Sequence, residues 1–342
     1  MRRVVAAAFI VFTLSAAEAA KTLDVYFIDV EGGQSTLIVT PAGESLLIDA
    51  GFAGRGGRDP DRILADARDA GIARIDYLLI THFHNDHVGG VPDLASRIPI
   101  GTFIDYGAPL GTDRMASRAF LAYEPVRSQG RHLQPQPGDR LPLKGVDIDI
   151  VSAGGAVLSK PLEKAGRANA ACQTAEDQPE DGTENFRSIG LRLKFGRFRF
   201  VDLGDLSGNT LVSLVCPRNL VGEASVYLVA HHGDYDSNVP AVLDALQPRV
   251  AVLNNGPTKG GAPEAFGTLH AHPRIEDLWQ LHASLRAGAE NSADAVIANV
   301  DDGATAYWIK LTANADGSFS LTNGRTGFTK MYRSGDKTRT SR

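Results

Sequence analysis

The chain has 342 residues, 43% of them hydrophobic and 22% charged, with a formal net charge of −5. That length buries a large core in one or two domains. The composition is that of a soluble globular protein, and the acidic balance excludes a polycation built to hold nucleic acid over its whole surface. Thirty-six glycines and 17 prolines fit a loop-rich α/β protein rather than a helical bundle.

Residues 1–19 read as a signal peptide. Met1-Arg2-Arg3 is a positive start, residues 4–14 are a short apolar core, and Ala17-Glu18-Ala19 is a small-x-small cleavage site. The apolar run is shorter than the ~20 residues a spanning helix needs. Export with cleavage is therefore expected, with a periplasmic or secreted location and no membrane span afterwards. Cys172 and Cys216 suit a disulfide in such a compartment and equally two free thiols. Neither has the Cys-x-x-Cys spacing of a thiolate metal site.

Residues 22–29 alternate and are β-rich, and residues 36–40 and 45–49 continue as strands separated by turns. Residues 61–70 have helical spacing through Ile63, Leu64 and Ala67, ended by Gly71. The apolar run 75–80 reads as a buried strand and leads into Thr81-His82-Phe83-His84-Asn85-Asp86-His87-Val88-Gly89-Gly90. Beyond it follow a strand at 100–106, an exposed helix at 113–129, a strand at 146–151, and a polar, unpatterned insertion at 159–184. Strands at 189–195, 198–203 and 226–230 come next, then a helix at 239–246 and a strand at 249–253. The spacing of Leu278, Trp279 and Leu281 predicts a helix over 273–287, residues 306–312 and 319–323 a hairpin, and 331–342 a disordered polar tail. Strands alternating with helices in two runs predict two sheets packed as a sandwich with helices outside. With no internal repeat or linker, residues 20–330 are expected to form one domain.

His82, His84, Asp86 and His87 fall just past a strand end. Imidazoles and carboxylates are the ligands of zinc-like metals. In an extended turn His82 and His84 project to one side, while Asp86 and His87 turn toward a neighbouring point. That divides four ligands between two adjacent metals. A polar loop of solvated histidines is the bland alternative, and the ligands downstream weigh against it.

The His-x-His-x-Asp-His run resembles the signature of the metallo-β-lactamase fold family of binuclear metal hydrolases. The resemblance implies an αββα sandwich of two mixed β-sheets with outer helices. It implies that Asp49, in Asp49-Ala50-Gly51, sits beneath the metals and orients a ligand. Asp205, in Gly204-Asp205, is implied to bridge both metals through its two oxygens. In His231-His232-Gly233 the strand-end His231 is taken as the last ligand of the second metal and His232 as a group near the substrate, with the exchanged assignment as the alternative. The implied metal ligands are thus His82, His84, Asp86, His87, Asp205 and His231, and catalysis is implied to rest on Asp86, Asp205 and His232. The turn at residues 29–35, the Asn185-x-x-Ser188 pattern and His-His-Gly further resemble the competence-type (DNA internalisation) branch.

A third histidine normally completes the first metal of this family. His132 is the sole histidine between the motif and Asp205, and it stands too far ahead of the expected strand. Completion by water or by a polar side chain such as Asn185 is therefore expected. Two divalent ions are implied, zinc first and manganese as the alternative for a hard-ligand site. Such ions activate water, which implies hydrolysis of a phosphodiester or related ester. The substrate is then a small molecule or a phosphodiester, and nucleic acid is compatible with the site though not indicated by net charge. One alternative is a lactone or β-lactam carbonyl hydrolase, which calls for a full three-histidine first site. The other is a non-catalytic metal-containing binding protein, which the open ligand set argues against. Lys259, in the polar loop 254–261, reads as a solvated lysine, with contact to an anionic substrate as the alternative. His270, His272 and His282 read as capping or core histidines.

Overall fold

The computed structural model describes residues 21–173, 182–301 and 306–335; the signal peptide read at residues 1–19 lies outside them. Two mixed sheets of nine strands each form the frame. The first runs, in spatial order, Thr329–Tyr332, Phe319–Asn323, Ile309–Ala313, Leu23–Phe27, Thr36–Val39, Ser45–Ile48, Ile75–Leu79, Ile100–Ile104 and Arg131–Leu133. It is antiparallel as far as Ser45–Ile48 and parallel beyond. The second runs Ile297–Asn299, Asp277–His282, Val250–Leu253, Val226–Leu228, Phe198–Asp202, Gly190–Phe195, Asp147–Ala153 and Arg140–Leu141, with Ala156–Val157 paired to Asp147–Ala153. Its first five strands are parallel.

Side chains of the parallel strands alternate between two cores. Val226, Leu228, Val250, Val252, Trp279 and Leu281 enter the core shared with the first sheet. Tyr227, Ala251, Leu253 and Leu278 pack with Val242, Leu243 and Leu246 of the helix Pro240–Leu246 and with Phe266 and Leu269 of Pro263–Ala271. A strand buried on both faces reads as a continuous apolar run. This overturns the helix expected over 273–287: the segment is the strand Asp277–His282, and the helix lies earlier, at Pro263–Ala271. Pro263 occupies its first turn, and Pro273 follows its end.

The tail expected to be disordered from residue 331 is also corrected. Met331 and Tyr332 belong to the strand Thr329–Tyr332. The Tyr332 ring stacks on Phe319 with centroids 4.7 Å apart. Its hydroxyl donates to Asp277 Oδ2 at 2.7 Å and accepts from Trp279 Nε1 at 3.0 Å, both on the second sheet. Residues 336–342 lie outside the described part. The insertion at 159–184, where described, is pinned rather than free: Leu162 N donates to Leu220 O at 2.9 Å and Asn219 N to Arg167 O at 3.0 Å. Cys172 and Cys216 form a disulfide with Cα atoms 5.7 Å apart, which answers the question their sequence leaves open.

The helix Arg58–Asp69 lays Ile63 and Ala67 into the core and buries Asp66 on the same side. Burial, reinforced by the charge of Asp69, pushes the Asp66 carboxyl up to about 7. A folded value above the unfolded one means that this group favours the folded state less as pH rises from about 4 to about 7. Asp66→Asn is therefore expected to change stability little below pH 4 and to stabilise above pH 7. The ceiling is about 4 kcal/mol, from three pH units at about 1.36 kcal/mol each. Urea unfolding of both proteins at pH 4 and pH 8 checks this; an equal difference at the two pH values would rule it out.

Candidate metal centre

The histidine loop leaves the first sheet at the end of the strand Ile75–Leu79 and forms one helical turn, Asn85–Val88. A buried carboxylate fixes it from below. Asp49 accepts from Thr81 N at 2.8 Å on Oδ1 and from Thr81 Oγ1 at 2.7 Å on Oδ2. Asp49 Oδ2 also stands 2.7 Å from His87 Nδ1. That contact fixes the ring with Nδ1 on Asp49 and Nε2 turned toward Asp205 and His232. The loop at residues 49–51 lies against the histidine loop: Ala50 N donates to His87 O at 2.7 Å and Gly90 N to Gly51 O at 3.0 Å. A Cβ at Gly90 would come within 2.1 Å of Ala50 O, so only glycine allows this approach.

The second sheet brings the other half. Past Phe198–Asp202 the chain turns at Gly204, φ 54°, where a Cβ would crowd Thr81 Cβ at 2.9 Å. Asp205 follows, and past Val226–Leu228 come His231 and His232. Asp86, His87, Asp205 and His232 each offer a ligand atom, and these atoms all lie within 4.8 Å of one another. His87 Nε2 is 3.2 Å from both Asp205 Oδ2 and His232 Nε2. His232 Nε2 is 3.3 Å from Asp86 Oδ2 and from Asp205 Oδ2. Beside this group, His82 Nε2 and His84 Nδ1 are 3.0 Å apart. His82 Nε2 and His231 Nε2 each stand 3.8 Å from Asp205 Oδ2. Two nitrogens on one tetrahedral zinc sit about 3.3 Å apart, so these spacings fit metal ligation. Asp205 Oδ1 is buried without a hydrogen-bond partner, an acceptor such as a cation would satisfy.

Burial alone would raise the Asp205 carboxyl, but His232, His87 and His231 hold it well below the usual range. Asp86 likewise overcomes burial through His87 and Lys259 and lies well below its ordinary value. Burial lowers His82, and the charge of His87 pushes it further down, which favours the neutral imidazole. His87 goes the other way: against burial, Asp205, Asp86 and Asp49 hold its value well above the ordinary one. The centre is thus a buried cluster in which carboxylates and imidazoles shift one another's proton affinities in opposite directions. Its floor is closed, with the His82 and His87 side chains at 0% exposure, and its solvent side carries Asp86, His84 and His231 at 13%, 15% and 18%.

The six side chains taken as ligands from the sequence come together, and both neighbouring histidines reach the cluster, on opposite flanks of Asp205. His232, assigned to the substrate, is the one grouped with Asp86, His87 and Asp205. His231 lies on the other flank, with Nδ1 2.8 Å from Asp236 Oδ1 and Nε2 3.4 Å from Asn185 Nδ2. Lys259 is not a solvated loop lysine: its Nζ pairs with Asp86 Oδ2. His132 is remote from the cluster, held by Asp105 Oδ1 at 2.9 Å. His270 stacks on Phe266, His272 meets Asp244 and His282 contacts Ala283 O. Sequence reasoning missed Asp113 and Asp236. Asp113 caps the helix Arg114–Arg127 and places Oδ2 2.8 Å from His84 Nε2. Helix-capping chemistry marks Asp113 in the sequence; its reach to His84 is a tertiary fact.

Two facing mixed sheets whose strand ends converge on a His/Asp cluster form the arrangement expected of the metallo-β-lactamase fold. Residues 28–152 match the family described as Metallo-beta-lactamase superfamily. The chain is 32% identical over 107 residues to the hydroxyacylglutathione hydrolase of Stenotrophomonas maltophilia, covering 30% of this chain and 37% of that one. It is 25% identical over 242 residues to a metal-dependent hydrolase of Cupriavidus metallidurans, covering 69% and 75%. It is 23% identical over 222 residues to ComE operon protein 3 of Bacillus subtilis, covering 62% and 23%. The match thus spans little more than a third of the first relative and under a quarter of the last. Among the described residues no helix is long and apolar enough to cross a membrane.

Proposed function

We propose that the chain is an exported hydrolase dependent on two divalent ions, acting on a phosphodiester or related ester. The observation that carries this reading is the convergence of Asp86, His87, Asp205 and His232 within 4.8 Å, flanked by His82 and His84. Four imidazoles among the six groups favour zinc over manganese. Divalent ions at such a centre lower the pKa of a bound water and polarise the oxygen of the bond to be cleaved. Asp49 and Asp113 hold His87 and His84 with one ring nitrogen protonated outward and the other aimed inward. The Cys172–Cys216 disulfide supports an oxidising compartment, and a mature N-terminus at or next to Ala20, read by mass spectrometry, tests export.

Lys259 supports an anionic substrate. Lys259 stands 44% exposed beside the centre on Asp86; with Asp86 holding a cation, its ammonium would be available to a phosphate oxygen. Lys259→Met is expected to raise KM for a phosphodiester about tenfold, the size of one lost charge-assisted hydrogen bond, with kcat within about threefold and metal content unchanged. Steady-state kinetics check it; an unaltered KM would remove Lys259 from substrate binding.

A carbonyl substrate is the second reading, supported by the likeness to hydroxyacylglutathione hydrolase. Bis-aryl phosphodiester, single-stranded DNA, lactone and β-lactam panels with zinc and with manganese separate the two. Metal-dependent phosphodiester turnover, lost in His84→Ala, supports the first reading. Turnover of carbonyl substrates alone supports the second. No turnover of any substrate by metal-loaded protein supports a binding role.

A further inference from the structure

We propose that His231 supplies the third imidazole of the first ion, so that the adjacent histidines 231 and 232 serve different ions. The inference rests on the two-ion reading and goes beyond it by assigning a ligand that the intervening chain does not provide. The first half of the centre contains His82 Nε2, His84 Nδ1 and Asp205. An open zinc site keeps three protein ligands beside its water, and a bridging carboxylate divided between two ions leaves room for a third nitrogen. His132 cannot provide it: it sits on the strand Arg131–Leu133 at the margin of the first sheet, its Nε2 on Asp105.

His231 meets the requirement in position and in orientation. Its Nε2 is as far from Asp205 Oδ2, 3.8 Å, as that of His82. Its Nδ1 is 2.8 Å from Asp236 Oδ1, which turns Nε2 toward Asp205. The same carboxylate–imidazole arrangement orients His87 through Asp49 and His84 through Asp113, and it is the usual support of a metal-bound histidine. Asn185, taken from the sequence as a substitute ligand, instead stands beside His231, its Nδ2 3.4 Å from Nε2.

Neighbouring residues serve two ions only if the backbone parts their side chains. Both histidines are left-handed, with φ 50°, ψ 44° at 231 and φ 52°, ψ 19° at 232. Two such non-glycine residues in succession are rare and strained, a condition that clusters at functional sites. The result is two rings 6.2 Å apart at 61°, one turned to Asp86 and His87 and the other to the far flank of Asp205.

The test is metal content of the full chain, by elemental analysis after equilibrium dialysis against zinc, and the absorption spectrum of the cobalt-loaded protein, with circular dichroism as the check on folding. Wild type and His132→Gln are expected to hold two ions with the same affinities. His231→Gln is expected to keep one ion and to bind the other at least about 100-fold more weakly. Asp236→Asn, which leaves the imidazole but removes its orienting carboxylate, is expected to weaken that same ion about tenfold. Two ions in His231→Gln at wild-type affinity would overturn this assignment alone. A single ion in wild type would overturn the two-ion reading and the assignment with it. If His231→Gln fails to fold, Asp236→Asn decides: a tenfold loss supports the assignment, and an unchanged affinity overturns it.

Discussion

Asp205→Asn is expected to abolish binding of both ions and to lower hydrolytic turnover by at least about 10³-fold, about 4 kcal/mol of barrier. Asp205 Oδ2 lies between the two halves of the centre, 3.2 and 3.3 Å from His87 and His232 and 3.8 Å from His82 and His231. An amide has the same shape but no charge, so the substitution removes the shared anion while sparing the packing. Three imidazoles hold this carboxyl well below the ordinary carboxylate range once burial has been overcome, which makes it an anion at every pH near neutrality. Elemental analysis with a turnover assay checks the expectation. Retention of two ions at wild-type affinity would show that Asp205 is no bridge.

Asp49 gives the second large effect, and its two substitutions separate stability from ligation. Asp49, Thr81 and His87 are all buried. Asp49→Ala leaves His87 Nδ1, Thr81 N and Thr81 Oγ1 without the acceptor they now share. Losing one partner of a buried charged pair costs about 3–5 kcal/mol, so this variant is expected to unfold far more readily in urea. Asp49→Asn keeps an oxygen for Thr81 but points an amide N–H at His87 Nδ1. The imidazole must then carry its proton on Nε2, the atom that faces Asp205 and His232. That variant is expected to fold, and to bind the ion beside His232 about 100-fold more weakly. Calorimetric zinc titration is the measurement; wild-type affinity in Asp49→Asn would mean that the tautomer of His87 does not matter.

Much of the centre is legible in the chain because its chemistry is local. His82, His84, Asp86 and His87 stand together after an apolar strand, and Gly204-Asp205 and His231-His232-Gly233 follow strands in the same way. What is hidden depends on backbone angles or distant partners. Nothing in two consecutive histidines reveals that both are left-handed, and that conformation decides which of them meets Asp86. Asp113 and Lys259 reach the centre from 29 and 173 residues away. The fold was misread where burial erases the periodic signal: Leu278, Trp279 and Leu281 are apolar because both faces of their strand are covered, a pattern that a buried helix shares.

The centre takes His82, His84, Asp86 and His87 from one sheet and Asp205, His231 and His232 from the other. Any cation held there is therefore a clasp across the sandwich as well as a reagent. Binding energy at the clasp is also adhesion between the sheets, and it grows with the logarithm of the free ion concentration, about 2.7 kcal/mol at one hundred times the Kd. The surroundings then set the protein's durability together with its activity. If the centre binds divalent ions, protease resistance is expected to rise with their free concentration, so that the lifetime of the chain would follow the metal supply around it.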